Sequence, residues 1–598
     1  MKRFLILIIL PVFVNGAQRV IVAEEFTATG CTYCPGAARG LDELYERVYD
    51  SLVVIAYHIS DPFSIPEADA RWTYYEVVGI PRTFFDGILS EIGGLHYGTT
   101  YPRYLHRFNQ RKGIESLLEI DLNCSYESDS NTGVVTAYIT NTSLDTLNGI
   151  LHFVIVEDNI NYSWQGMTKL NFVARDMLPD AFGESVTIPP GDSIIRSRDF
   201  TISQDWDVEN CKIVVFVQAS NKEIYQGDEV GIIGKSELDY YGMSFTDSDG
   251  DGVAEPGENL NLIPSFKNMG TGEFPGGYIT LSANDPYINI TLDNSFLDLV
   301  EVGNVGTVST PFTLEISPDC PNPNQVNLYF TTEFHTDTVP LIITTQPGFF
   351  DDMESGENGW THWGTRDHWH ITDHTSHSPS NSWYCGIDGS WQYTNENDAS
   401  LVSRWFVVTP ESALVFWHRY GLEAGYDYGH VEIDNGSGWW KTIDIFDGTQ
   451  SVWSQTIYPL TEYSGQTVRI RFRFISDYSI TDEGWYIDDV SISSPVAIKE
   501  NSLDPTNFSF YISPTISKSS FEILFSLEDS SPNVEIGVYD VSGRLVKKLI
   551  NSQFSHKGLK RIVWNGFDKR NRRVKSGVYF IRIESESLTG AKRVIILR

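Results

Sequence analysis

Cysteine is scarce in this chain: six residues in 598. That excludes a small disulfide-stapled scaffold and leaves hydrophobic burial to hold most of the chain together. Positive charge is scarce too. Lys and Arg number 43 against 79 Asp and Glu, a formal net charge of −36. Such a balance favours solubility and argues against nucleic acid or anionic lipid as a partner. The apolar run Phe4 to Val14 is too short for a membrane span, and no later segment approaches the required length. Lys2 and Arg3 precede that run and Gly16-Ala17 follow it, so residues 1–17 read as a signal peptide. Export is expected, to a compartment where disulfides persist. The next Cys is Cys31, which argues against lipid attachment at a processed N-terminal Cys. There is no His-Glu-x-x-His, so the common zinc-protease motif is absent. No organic cofactor is expected.

What is there begins at Glu25-Phe-Thr-Ala-Thr-Gly-Cys31-Thr-Tyr-Cys34-Pro35. Residues 19–26 are rich in β-branched and apolar side chains and predict a buried strand. After Pro35, Leu41, Leu44, Tyr45 and Val48 recur at helical spacing. The Cys pair therefore falls where a strand turns into a helix. There the unpaired N–H groups and the positive end of the dipole favour a thiolate. Two Cys separated by two residues on such a turn are able to close a disulfide with each other.

These residues resemble the thioredoxin family. Glu25 stands six positions before the first Cys, where that family has an acidic residue. Gly79-Ile80-Pro81 resembles its cis-proline element, with the strand 52–58 between. The resemblance implies an attacking thiol at Cys31, a resolving thiol at Cys34, a proton acceptor at Glu25 and a substrate groove shaped by Pro81. Gly30, Thr32-Tyr33 and Pro35 depart from the family pattern and leave the redox potential and direction open. Two readings stand: a redox-competent pair, or a structural disulfide on a scaffold without turnover.

Length allows four or five domains. The expected fold class is multidomain, with an N-terminal α/β thioredoxin-like domain (18–113) followed by all-β Ig-like and jelly-roll sandwiches. After residue 113 the chain turns to short alternating strands between Gly, Pro, Asn and Asp. Residues 114–235 read as an Ig-like sandwich, in which Cys124 and Cys211 lie in strands and are candidates to pair. Val22 to Gly36, Val156-Glu-Asp-Asn, Ala174-Arg-Asp-Met-Leu-Pro-Asp180 and Val215-Phe-Val-Gln together resemble the outer-membrane-protein-28-related family of exported bacterial proteins. That resemblance covers about residues 18–232 and implies the cell envelope.

Residues 236–346 read as a second Ig-like sandwich. It opens with Asp247-Ser-Asp249-Gly-Asp251-Gly252, with Glu258 at position twelve. Acids at positions 1, 3 and 5, Gly at 6 and Glu at 12 fit a calcium loop. Asn259 to Ile263 reads as a strand rather than a helix, so a structural calcium loop is expected and not a signalling EF-hand. A solvated acidic turn is the alternative.

Residues 347–496 are dense in Trp, Tyr and His and resemble jelly-roll modules of the MAM and immune inhibitor A type. Asp352 and Glu354 near the start, with Asp489 near the end, are weaker calcium candidates, because such folds set the first and last strands side by side. Cys320 and Cys385 fall in different predicted domains and read as single buried thiols. His368 and His370 share a strand face and are more simply polar strand residues than zinc ligands.

A polar linker, 497–507, precedes the block 508–598. From Phe508 onward 16 basic residues face 8 acidic ones, against the sign of the whole chain. Val538-Tyr-Asp-Val-Ser-Gly-Arg, Gly577-Val-Tyr-Phe and Lys592 to Arg598 resemble FlgD-type Ig-like domains and the C-terminal sorting domain of type IX secretion substrates. The expected partners are protein disulfides or surface ligands, protein or glycan, and secretion machinery. The functional expectation is an exported thiol–disulfide exchange protein. Its alternative is a non-enzymatic adhesin or envelope protein whose Cys31–Cys34 bond is a staple.

Overall fold

In the N-terminal unit strands β1 (Ile21–Thr27) and β2 (Leu52–His58) run parallel in register, Ile21 beside Leu52 and Thr27 beside His58. Every residue of both strands is buried. Helix α1 (Cys34–Val48) connects them, and α2 (Pro66–Tyr75) follows β2. Strands β3 (Arg82–Phe85) and β4 (Leu89–Ile92) continue the sheet antiparallel to β1, and α3 (Tyr101–Lys112) ends the unit. Glu24 and Glu25 are adjacent on a strand and so face opposite sides of the sheet. Glu24 takes Arg71 of α2 at 2.5 Å. Glu25 faces α1 and α3. Gly36 and Gly40 let the α3 side approach α1: a Cβ on Gly40 would lie 2.2 Å from Thr100 Oγ1.

The structure is a computed structural model. It describes residues 17–493 apart from 49–50 and 411, and most of the strands between 511 and 596. Most of the expected signal peptide and the whole of the 497–507 linker lie outside the described residues.

The second unit contains β5 (Leu118–Glu127), β6 (Thr132–Asn141), β7 (Leu147–Glu157), β8 (Ile160–Trp164), β9 (Met167–Leu170), β10 (Val173–Leu178), β11 (Glu184–Ile188), β12 (Ser193–Thr201), β13 (Cys211–Gln218) and β14 (Ile224–Gly231). The three-stranded sheet β12-β6-β5 packs on β7, β13 and β14 through Ile139, Phe153, Ile213 and Val215. The division expected at 113/114 is not a break in the sheet. The order β14-β13-β7-β10-β2-β1-β3-β4 makes one continuous sheet of both units, joined where Val173 pairs with Ala56. The free edge of β2 accepts β10, which composition along the chain does not reveal. Cys124 and Cys211 stay separate thiols, as do Cys320 and Cys385.

A third unit packs a five-stranded sheet, including Leu238–Thr246 and Asn259–Asn268, on a four-stranded one that ends in Thr336–Ile343. A fourth pairs two six-stranded sheets over a core of Trp369, Trp383, Trp485 and Phe472. Its first strand, Phe349–Asp351, lies antiparallel to its last, Gly484–Ser493. In the C-terminal block two sheets enclose Phe521, Trp564 and Ile581. The chain thus is multidomain and mostly β. Among the described residues no helix is long and apolar enough to cross a membrane.

The N-terminal unit also touches the fourth unit. Arg47 of α1 meets Glu432 at 2.8 Å, and Glu43 meets Arg473 at 2.5 Å. Glu432 is buried, and the guanidinium groups of Arg471, Arg47 and Arg473 hold its carboxyl well below the usual carboxylate range despite that burial.

Candidate functional site

Cys31 and Cys34 are joined as a disulfide, with Cα atoms 5.4 Å apart. Cys34 is the first residue of α1 and is fully buried, while Cys31 is half-buried on the turn that leaves β1. Cys31 N donates to Ala28 O at 3.1 Å and closes that turn. The Ile80–Pro81 peptide bond is cis. The loop 93–98 passes against the Cys turn. Gly94 packs so closely that a Cβ there would lie 2.1 Å from Tyr33 O and 2.8 Å from Pro81 Cγ. His96 Nδ1 lies 3.0 Å from Thr32 O. A carbonyl only accepts, so Nδ1 carries the proton.

Glu25 lies buried beneath this turn, and its Oε1 has no hydrogen-bond partner. Burial, and after it the charge of Asp42, raises its pKa to about 8. Asp42, on α1, is itself raised to about 6 by burial, although Asn171 Nδ2 donates to it at 2.9 Å.

The sequence reading missed the hairpin β8–β9. Its Trp164 and Leu170 cluster with Cys34 and Val173, and Cys31, Ile80, Tyr162 and Met167 pack against them. The Tyr162 ring meets Phe63 at 5.0 Å. Gln165 and Gly166 at positive φ make the tight hairpin turn, a legible local signal. No local signal says that the hairpin reaches back to the Cys pair.

In the acidic loop Asp247, Asp249 and Glu258 each bring a carboxylate oxygen within 4.8 Å of the others. Gly250 and Gly252 both take φ +82°, which lets the loop double back. Asp247 accepts from Gly252 N at 2.8 Å. Asp251 is turned to Val253 N, 2.8 Å away, and stands outside that trio. Asn259–Asn268 is a strand.

Asp352, Glu354 and Asp489 do not converge in this way. Glu354 accepts from Ser380 N and Asn381 N at 3.0 and 2.8 Å. Asp489 accepts from His377 Nδ1 and Ser378 Oγ at 2.5 and 2.6 Å. Asp352 accepts from Glu354 N at 3.3 Å. Two of these acids spend their oxygens on the loop 377–381, which explains why adjacent first and last strands do not make a shared acidic site. A different trio does converge: Glu423, Asp427 and Asp477. Burial and its acidic neighbours raise Asp427 to about 7, although it accepts from Tyr393 Oη at 2.5 Å. His370 faces Asp388 at 3.0 Å, a polar surface contact.

A cleft of about 1220 Å³ opens between the third and fourth units. Trp405, Trp417, Arg404, Gln455 and Asp352 line it from the fourth unit and Asn324 from the third.

The family described as outer membrane protein Omp28 matches residues 69–232, a stretch that begins after the Cys pair. The secretion system C-terminal sorting domain matches residues 512–597. The chain is therefore an exported multidomain protein of the cell surface or outer membrane. Bacillopeptidase F of Bacillus subtilis (strain 168) is 32% identical over 180 residues, 28% of this chain. The chain spans only 12% of that relative. Among solved structures, HBP35 of Porphyromonas gingivalis aligns with all of its own chain and 55% of this one, at 12% identity and a TM-score of 0.31. The K3 cleaved adhesin domain of Lys-gingipain, also from Porphyromonas gingivalis, aligns over 97% of its chain and 24% of this one, at 18% identity and a TM-score of 0.19. Neither likeness defines a common fold.

Proposed function

We propose that the N-terminal unit is a thioredoxin-like thiol–disulfide exchange module carried by an exported surface protein. One observation carries this reading: a half-buried Cys31 is bonded to a fully buried Cys34 at a helix start, over a buried Glu25 and beside a cis Pro81. Cys31 is the accessible thiol and so the attacking one. Cys34 closes the mixed disulfide that results. In a Cys34→Ser variant that second step is blocked, so mixed disulfides through Cys31 should accumulate with envelope proteins. Absence of any trapped species, with a reduction potential for the pair below about −300 mV, would leave a structural staple.

The second reading, a non-catalytic adhesin, is favoured by the cleft between the third and fourth units, whose aromatic and amide lining suits a glycan or peptide ligand. The loop at Asp247, Asp249 and Glu258 would hold calcium, with Asp251 turning toward the ion on binding. The pairing of its first and last strands supports reading the fourth unit as a jelly roll of the MAM and immune inhibitor A type. The C-terminal block serves as the sorting address, with the FlgD-type Ig-like domain as its structural relative.

A further inference from the structure

Near the Cys turn a small, partly open cavity of about 20 Å³ is lined by Glu25, Thr27, Ala38 and Asp42 and by Trp164, Met167 and Leu170 of the hairpin. That volume is enough for one water molecule, which needs two to four polar partners. The cavity supplies them. Glu25 Oε1 and Thr27 Oγ1 are both buried without a protein partner, and the Asp42 carboxylate completes the ring. Ala38 lies one helical turn after Cys34, so it shares the helix face that carries the resolving thiol. Trp164 and Leu170 touch both the Cys34 cluster and the cavity.

We propose that Glu25 and Asp42 form a water-bridged acid pair that takes the Cys34 proton and passes it outward beneath the β8–β9 hairpin. This rests on the exchange reading of the Cys pair and adds Asp42 as a positioning and relay residue. In the reducing direction Cys31 thiolate attacks a substrate disulfide, and one substrate sulfur leaves as a thiolate that solvent protonates. In its ionised form, populated as the pH approaches 8, Glu25 accepts the Cys34 proton. Cys34 thiolate then attacks Cys31 Sγ; the Cys31–substrate bond breaks, the Cys31–Cys34 bond forms, and the second substrate sulfur leaves and is protonated. Two electrons pass from the Cys pair to the substrate disulfide. The proton on Glu25 moves through the water to Asp42, which is only half-buried and accepts from Asn171 Nδ2 at 2.9 Å.

Most other charged and titratable groups around the pair are already engaged. His58 of β2 is bonded to Asp61 at 2.7 Å. Tyr104 of α3 shares a hydrogen bond with Thr83 at 2.8 Å. Lys169 of the hairpin donates to Asn159 at 3.1 Å. Arg39 of α1 donates to Gly98 O at 2.6 Å. Asp158 behind Asp42 is paired with Lys212 at 3.1 Å. Glu46, on the same helix, carries a pKa raised by burial and then by Asp42. Glu25 and Asp42 are left facing each other, and groups so placed titrate as a pair.

The test uses the oxidised full-length chain without thiol, followed by infrared spectroscopy of carboxyl bands from pH 4 to 10, with Glu25→Gln identifying the Glu25 band. The Glu25 band, isolated as the difference from Glu25→Gln, should titrate above the ordinary carboxylate range, with a second inflection where Asp42 ionises. Asp42→Asn keeps the acceptor for Asn171 and removes the charge, so the Glu25 midpoint should fall by about one pH unit. A single step in the ordinary carboxylate range, or an unmoved Glu25 midpoint in folded Asp42→Asn, would overturn the proposal. If Asp42→Asn does not fold, the Glu25 band of the unmodified chain decides: a single inflection in that band overturns the acid pair. None of these readings needs turnover. Trapping by Cys34→Ser with an unmoved midpoint removes the acid pair alone, whereas the expected titration without any trapping removes the exchange reading.

Discussion

Glu25 is an acid kept neutral by its surroundings at the pH where most acids are charged. Its pKa rises from the ordinary 4.5 to about 8, first by burial and then by Asp42. The unfolded chain loses this proton near pH 4.5, while the folded chain holds it until about pH 8. Between those values the unfolded state binds fewer protons, so stability falls as pH rises through that window. Glu25→Gln removes the penalty. Hydrogen exchange at the amides of β1 should therefore be slower in Glu25→Gln than in the unmodified chain at pH 8, with the gap closing toward pH 5. An equal gap at both values would contradict the buried-acid account. The Cys31–Cys34 pair at a helix start was legible in the sequence from local spacing, and the positions of Glu25 and Pro81 from the resemblance to thioredoxin; their roles belong to the proposed exchange reading. Asp42 was not legible. On sequence it is one more helix-surface acid, and only a hairpin more than a hundred residues later partly covers it.

At the scale of elements, the contrast is between the two acidic trios. Asp247, Asp249 and Glu258 were legible because one tight loop carries them all and two glycines let it turn. Glu423 and Asp427 share the loop between the strands 413–421 and 428–434, Asp477 sits on a second loop fifty residues later, and only strand pairing brings the two loops together. At Asp352, Glu354 and Asp489 the strands do lie side by side as expected, but the loop 377–381 takes up oxygens of Glu354 and Asp489. Carboxylates held within 4.8 Å repel one another until a cation joins them. Binding to the folded state alone raises stability by mass action. In the full chain, millimolar calcium should slow hydrogen exchange along Asn259–Asn268 relative to chelator, and Asp249→Ala should abolish the effect. Identical exchange with calcium and with chelator in the unmodified chain would leave a solvated turn.

For the whole molecule, the broad plan was legible: an α/β start, a series of β-sandwiches, and a basic C-terminal block that matches a sorting domain. The continuous sheet was not, because an edge is a property of the finished fold. The block 508–598 opposes the rest of the chain in charge and follows a polar stretch. Deleting the residues after Asn507 should leave the Cys pair reactive while the protein is retained in the periplasm, as judged by fractionation and protease accessibility of intact cells. Arrival of the truncated chain at the surface would show that the address lies elsewhere.

The contact of α1 with Glu432 and Arg473 has a consequence for the order in which the molecule is made. Arg47 and Glu432 are separated by nearly two-thirds of the chain, and the partners of α1 emerge from synthesis long after the helix itself. The entropy of closing so long a loop grows only slowly with its length, by roughly 0.6 kcal/mol for each doubling. The delay is therefore one of waiting rather than of difficulty. Until the fourth unit has folded, the face of α1 that bears Glu43 and Arg47 is in water; afterwards it is sealed. The helix that begins at Cys34 thus has two successive lives, an open one on the growing chain and a clamped one in the finished protein, and the buried charges record which of them a given copy has reached.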